Sequence, residues 1–330
     1  MQGFRAPGWL PGGHAQTIWP ALFARHRAGD ALRFERERWA TPDGDFIDVD
    51  LLAAAPGSGA DATNDDAPML VLFHGLEGSS RSHYAQAFGH WAREAGWRYA
   101  VPHFRGCSGE LNHGPRAYHS GDHEEVGWIL QRLRARSGQP LRVVGVSLGG
   151  NALLRWAEEA GEAAAATATA VAAVCAPLDL TAGGHAIGRG LNRQIYTRMF
   201  LRSMKPKALA KLAQHPGLFS REKLLAARTL YDFDNVFTAP LHGFRNTDDY
   251  WARASAKPHL HRIRIPALVL NPRNDPFVPA GSLPVAGHGG RWLTLWQPAH
   301  GGHVGFPGGR FPGHVRGLPD GVMQWMQRQA

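Results

Sequence analysis

The chain has 330 residues, 44% hydrophobic and 19% charged, so a large buried core can form and pervasive disorder is excluded. The formal net charge of +9 raises nucleic acid or an anionic membrane surface as a partner, yet the arginines are scattered along the sequence and no Lys- or Arg-rich block stands out, so a basic soluble protein with no nucleic-acid partner is expected. Cys107 and Cys175 are too few and too far apart for a CxxC pair or a disulfide framework.

In chain order, residues 1–20 are broken by Pro7, Gly8, Pro11, Gly12 and Gly13 and lack the apolar core of a signal peptide. Residues 34–40 and 46–52 alternate in hydrophobicity and read as an antiparallel pair turning at Pro42-Asp43-Gly44. The Pro-, Gly- and Ser-containing stretch 56–67 is expected to be a disordered surface loop. Strand 69–73 leads to a helix over Ser82–Ala95, with Tyr84, Phe88, Trp91 and Ala95 at helical spacing. Tyr99–Phe104 is the next strand, followed by a helix over Asp122–Ser137 with Val126, Ile129, Leu130 and Leu133 on one face. Strand 141–146 and a helix over 151–160, closed by Gly161, continue the alternation. Later strands are expected at 169–176, 267–271 and 292–296. The weakly apolar run 163–180 is mostly Ala and Thr and contains Pro177, which argues against a membrane span; a reducing, cytoplasmic location is the expectation. Strands alternating with helices of this length make a mostly parallel sheet covered on both faces. The rhythm breaks over 178–260, helical in 205–214 and 221–229. Its aromatic residues, among them Tyr231, Phe233, Phe237 and Trp251, suggest a cap lining an apolar pocket over a core of 1–177 and 261–330, one domain overall.

Between strand 141–146 and the following helix stands Gly145-Val146-Ser147-Leu148-Gly149. A G-x-S-x-G in this context is the nucleophile elbow of an α/β-hydrolase: Gly145 and Gly149 clear room for a sharp turn that holds the Ser147 hydroxyl out toward substrate. A serine hydroxyl needs a base, an acid to orient the base and two N–H donors for the oxyanion. In this fold the acid and then the base follow the serine in the chain. Asp275 lies just past strand 267–271 and His303, in Gly301-Gly302-His303-Val304-Gly305, just past strand 292–296, both at carboxyl ends of strands, where such sheets build sites. Asp179 and His300 are the competing acid and base. The backbone N–H of Leu148, and that of Leu76 in the loop His74-Gly75-Leu76-Glu77-Gly78, are the expected oxyanion donors, with His74 and Gly75 supporting them. Neither HExxH nor metal-type Cys/His spacing is present, nor a Walker loop or a G-x-G-x-x-G after a strand, so no metal or other cofactor is expected. Cys107 has no recognisable His and Asn partners and reads as a small loop residue.

Further blocks resemble the YheT-like branch (AB-hydrolase family 4) of the α/β-hydrolases. They are His74 to Ser80, Phe104-Arg105-Gly106-Cys107-Ser108-Gly109-Glu110, Tyr118 to Asp122, Gly145 to Asn151, Phe237 to Phe244, Asn274 to Phe277 and Gly301 to Phe306. Leu10-Pro11-Gly12-Gly13-His14-Ala15-Gln16-Thr17 is similar to that branch's opening segment; His103, where asparagine would be typical, is a departure. The resemblance covers nearly the whole chain. It implies a Ser147–Asp275–His303 triad and a small-molecule carboxylic-ester substrate. The expected fold is an α/β-hydrolase sheet of eight mostly parallel strands flanked by helices with a helical cap insertion, and the cap's aromatic residues suggest an apolar acyl group. The expected function is a serine esterase. An acyltransferase on the same triad and a non-catalytic binding protein on the same fold are the alternatives. No integral membrane segment is expected, although a lipid substrate would bring the protein to a membrane surface; the oligomeric state is left open.

Overall fold

A computed structural model describes residues 1, 3–23, 31–53 and 67–329. Most of the expected 56–67 loop therefore lies outside the described residues.

The first hairpin follows from its sequence. β1 (Phe34–Ala40) and β2 (Phe46–Leu52) pair antiparallel from Phe34 opposite Leu52 to Ala40 opposite Phe46. The turn between them is closed by Thr41 N–H donating to Asp45 O at 2.9 Å. β3 (Met69–Phe73), β4 (Arg98–Pro102), β5 (Leu141–Val146), β6 (Ala168–Val174), β7 (Ala267–Leu270) and β8 (Leu293–Trp296) complete an eight-stranded sheet of order β1-β2-β4-β3-β5-β6-β7-β8. Pairing is parallel from β4 through β8 and antiparallel only at β1–β2 and β2–β4.

Side chains along a strand alternate between faces, and both faces of the central strands are buried. Met69, Val71 and Phe73 of β3 join one core; Leu70 and Leu72 join the other. The first core is covered by α3 (His123–Arg134) and α4 (Leu148–Ala160), following α1 (Gly13–Phe23) and α2 (His83–Glu94) in the chain. The second is covered by α2, through Phe88 and Ala92, and by the last helix, α10 (Gly317–Gln327), through Val322, Met323 and Met326.

Between β6 and β7 the chain is helical: α5 (Leu180–Ile187), α6 (Arg198–Gln214), α7 (Arg221–Ala226), α8 (Leu230–Val236) and α9 (Thr247–Ala254). These helices have their own apolar cluster of Leu201, Met204, Ala208, Leu224, Phe233 and Phe237. The start of α8 is fixed by a capping box in which Thr229 Oγ accepts from Asp232 N–H and the Asp232 carboxylate accepts from Thr229 N–H.

Element boundaries differ from expectation for local reasons. α4 starts at Leu148 rather than 151, because Gly149 and Gly150 are wound into its first turn despite their low helix propensity. α6 starts seven residues before 205 and passes through Pro206, leading directly out of a π-turn over Arg193–Thr197. α7 ends at Ala226, before 229, since Thr229 is already the cap of α8. β6 stops at Val174, because Cys175 has φ +52° and leaves the strand.

Candidate active site

Ser147 occupies the junction of β5 and α4 with φ +53° and ψ −120°, a backbone region costly for a residue with a Cβ. Close packing on both sides holds it there. A Cβ on Gly145 would lie 2.4 Å from Gly149 O, and one on Gly149 would lie 2.5 Å from His74 O. The glycines are thus required by backbone approaching backbone. Ser147 N–H donates to Val174 O at 2.8 Å, tying the elbow to β6.

Asp275 and His303, the expected acid and base, arrive from the next two strand ends. His303 Nε2 is 3.0 Å from Ser147 Oγ and His303 Nδ1 is 2.9 Å from Asp275 Oδ2. The other carboxylate oxygen accepts from the backbone N–H groups of Phe277 and Val278, at 2.7 and 3.3 Å. Both Asp275 and His303 are buried, and the Phe277 ring stacks on the imidazole with centroids 4.0 Å apart. The competitors lie elsewhere: Asp179 caps α5 through Ala182 N–H and pairs with Lys257, and His300 is exposed.

Leu148 opens α4, where a backbone N–H has no partner one turn earlier, and it lines the cavity in front of Ser147 together with Leu76. Around Leu76 the neighbouring amides are occupied: Gly75 N–H donates to the Tyr84 hydroxyl, Glu77 N–H to the Tyr118 hydroxyl and Gly78 N–H to Gly75 O. His74 shapes this loop from beneath. Its Nε2 accepts from Phe104 N–H at 3.1 Å, so its Nδ1–H donates to Gly75 O at 2.8 Å. Complete burial, with His103 nearby, lowers its pKa to about 3 and keeps it neutral.

The cavity has a volume of about 160 Å³ and is walled largely by apolar residues such as Leu180, Ile187, Phe200, Met204 and Phe233. Two acids line it: Glu77, paired with Lys207 at 2.9 Å, and the partly buried Asp234, which accepts from the Thr238 hydroxyl at 2.6 Å and from Trp251 Nε1–H at 2.9 Å; desolvation pushes the pKa of Asp234 up to about 6. Burial also pushes Cys107 up to about 12 and Cys175 well above the ordinary thiol range, so both stay protonated. Cys175 Sγ sits within 4.8 Å of ligand atoms of Asp275 and His303, but those atoms are already joined to each other by a hydrogen bond. His103 is buried, with Nε2 2.9 Å from Asp50 Oδ2, which gives this departure from the resemblance a role in packing rather than in the site.

Sequence reasoning missed three polar residues that join the loops of Asp275 and His303. The amide oxygen of Gln16, on α1, accepts from Asn274 Nδ2 at 2.9 Å and from Gly301 N–H at 3.0 Å. Its Nε2 donates to Leu10 O at 2.9 Å. Thr17 Oγ accepts from His303 N–H at 2.8 Å, and Asn274 Oδ1 accepts from Gly302 N–H at 3.0 Å. The signal for Gln16 and Thr17 lies in the block Leu10 to Thr17 and that for Asn274 in Asn274 to Phe277, but neither block carries a pattern that shows which loops it joins.

The profile of the alpha/beta hydrolase fold matches residues 68–309. This chain belongs to the α/β-hydrolase family. Within the α/β-hydrolases it falls in the YheT-like branch: it is 36% identical over 318 residues to "Putative esterase YheT" of Escherichia coli (strain K12), covering 95% of this chain and 89% of that protein. Mouse "Phospholipase ABHD3" is 28% identical over 251 residues, 74% of this α/β-hydrolase and 60% of the mouse protein. The structure of mouse alpha/beta hydrolase domain-containing protein 10 superposes with a TM-score of 0.54 at 15% identity, over 90% of this chain and all of that one, a likeness of fold.

Proposed function

We propose that this α/β-hydrolase is a serine esterase that cleaves carboxylic esters with an apolar acyl group through an acyl-enzyme. One observation carries the reading: the line from Asp275 through His303 to Ser147 Oγ, with contacts of 2.9 and 3.0 Å, that ends at an apolar cavity. The names esterase and phospholipase on the similar proteins agree with it.

In this mechanism Ser147 Oγ attacks the acyl carbon while His303 Nε2 takes the hydroxyl proton. The negative charge on the carbonyl oxygen is met by the N–H groups of Leu76 and Leu148. As the intermediate collapses, the C–O bond to the alcohol breaks and His303 returns the proton to the leaving oxygen. Water, deprotonated by the same imidazole, then releases the carboxylic acid and restores the serine. Asp275 fixes the proton on Nδ1 so that Nε2 is free to act as the base. The helices of 178–260 act as the cap that supplies the acyl-binding wall and keeps water from it.

A panel of p-nitrophenyl esters of graded acyl length tests the activity. Turnover of short or medium chains, abolished in Ser147→Ala, is the expected result. Folded wild-type protein without turnover on any member of the panel would contradict it.

A further inference from the structure

The charge that looks scattered in the sequence is gathered in one place. Residues 181–231 hold ten Lys and Arg against one acid, Glu222, which equals the net +9 of the entire chain; the remainder is balanced. The expectation from spacing alone, of no basic region, is corrected here, because helices bring together side chains four to thirty positions apart.

Three of these cations make bonds within the protein, Lys205 Nζ among them, donating to Leu225 O at 2.8 Å at the surface. Lys211 Nζ donates to Asn112 O at 2.6 Å and Gly114 O at 2.7 Å, and Lys207 pairs with Glu77 at 2.9 Å. Others face outward. Arg193, Arg198, Arg202, Lys205 and Arg228 border one shallow depression of about 480 Å³, and among the described residues no acid lines it. The nearby Asp232 carboxylate is engaged by the N–H groups of Arg228 and Thr229. Along α6, Arg198, Arg202 and Lys205 follow one another at i, i+4 and i+7, a single stripe. Phe200, Met204 and Ala208 on the same helix line the cavity in front of Ser147. Three large apolar side chains stand exposed among the cations: Leu191 (57%), Met199 (53%) and Leu225 (45%).

We propose that this outer face, over 189–228, docks on an anionic lipid bilayer. The cations match acidic headgroups, each basic side chain near such a surface adding to the attraction. Leu191, Met199 and Leu225 gain burial at the headgroup boundary. A nucleic-acid backbone would satisfy the cations but leave those three side chains without an apolar environment. The same helix then meets the membrane on one side and the acyl-binding cavity on the other. The proposal stands on charge and exposure and does not depend on the ester-cleaving reading.

The test is sedimentation of the full chain with vesicles in about 0.1 M salt, where surface charges are screened beyond about 10 Å. Vesicles of phosphatidylcholine alone are compared with vesicles one-third phosphatidylglycerol. The protein is expected to sediment with the anionic vesicles and not with the neutral ones. Combined Arg198→Gln, Arg202→Gln and Arg228→Gln should weaken that binding about a hundredfold. Combined Leu191→Ser, Met199→Ser and Leu225→Ser should weaken it with the charges intact. Far-ultraviolet circular dichroism and the thermal unfolding midpoint should stay unchanged in both, which shows that the variants fold. No binding to anionic vesicles, or undiminished binding by the arginine variant, would overturn the proposal. So would displacement of the protein from vesicles by single-stranded DNA together with undiminished binding by the serine variant, an outcome that assigns the face to a polyanion.

Discussion

At the scale of single residues, His303, the proposed base, is held from three sides, and each hold can be tested. Asp275 orients Nδ1, Phe277 stacks on the ring, and Thr17 fixes the backbone of His303. Gln16 braces the arrangement by joining the loop of Asp275 to the loop of His303. Gln16→Leu would leave Asn274 Nδ2 and Gly301 N–H without their acceptor, at a cost of about 1–3 kcal/mol for each buried group. Steady-state kinetics of that variant should show kcat reduced about tenfold or more with KM little changed, since 1 Å of misplacement costs more than most contacts. An unchanged kcat would mean the two loops hold themselves. Asp234 offers a second test, through pH. Its folded pKa is pushed up to about 6 by burial, against an ordinary 3.8, so the folded protein keeps a proton that the unfolded chain has lost. Its contribution is full below 3.8 and is lost as pH rises through about 6. Urea unfolding of the wild type and Asp234→Asn should therefore diverge across this window by about 1.4 kcal/mol per pH unit, the variant gaining as pH rises. Parallel curves would show that the carboxyl is ionised throughout.

At the scale of elements, the elbow packs backbone directly against backbone. Gly149→Ala would press a methyl carbon against the carbonyls of His74 and Phe73, both within 2.6 Å of the position a Cβ would take, and neither can move without shifting β3. The expected loss of stability in thermal unfolding is about 3 kcal/mol, the upper range for overpacking; a Tm equal to the wild type would mean that the β3–α4 contact is looser than drawn. Most elements were legible in the sequence because their periodicities are clean. Leu70 and Leu72 alternate with Met69, Val71 and Phe73 in a run buried on both faces, and Val126, Ile129, Leu130 and Leu133 mark one side of α3. Boundaries were legible only where propensity and packing agree. Gly149 and Gly150 disfavour a helix but are wound into one by the elbow, and Pro206 hid the first half of α6.

At the scale of the whole molecule, what the sequence conveyed depended on the distance a contact spans. Ser147, Asp275 and His303 could be named because each follows a recognisable strand, and the order of strand ends in a parallel sheet determines which loops meet. The pairing of Gln16 with Gly301 joins groups 285 positions apart, and no periodicity marks it. It exists only because α1 lies against the loop that follows the last strand. The basic outer face of 189–228 was hidden for a related reason: its charges are dispersed in sequence and neighbours only after helices form. Both ends of the molecule thus serve one small volume around a single hydroxyl. The most direct measurement of that central claim is intact and peptide mass spectrometry after treatment with a fluorophosphonate. One adduct is expected, on the peptide carrying Ser147, and none on folded Ser147→Ala protein. Labelling of another residue, or equal labelling of the variant, would contradict it.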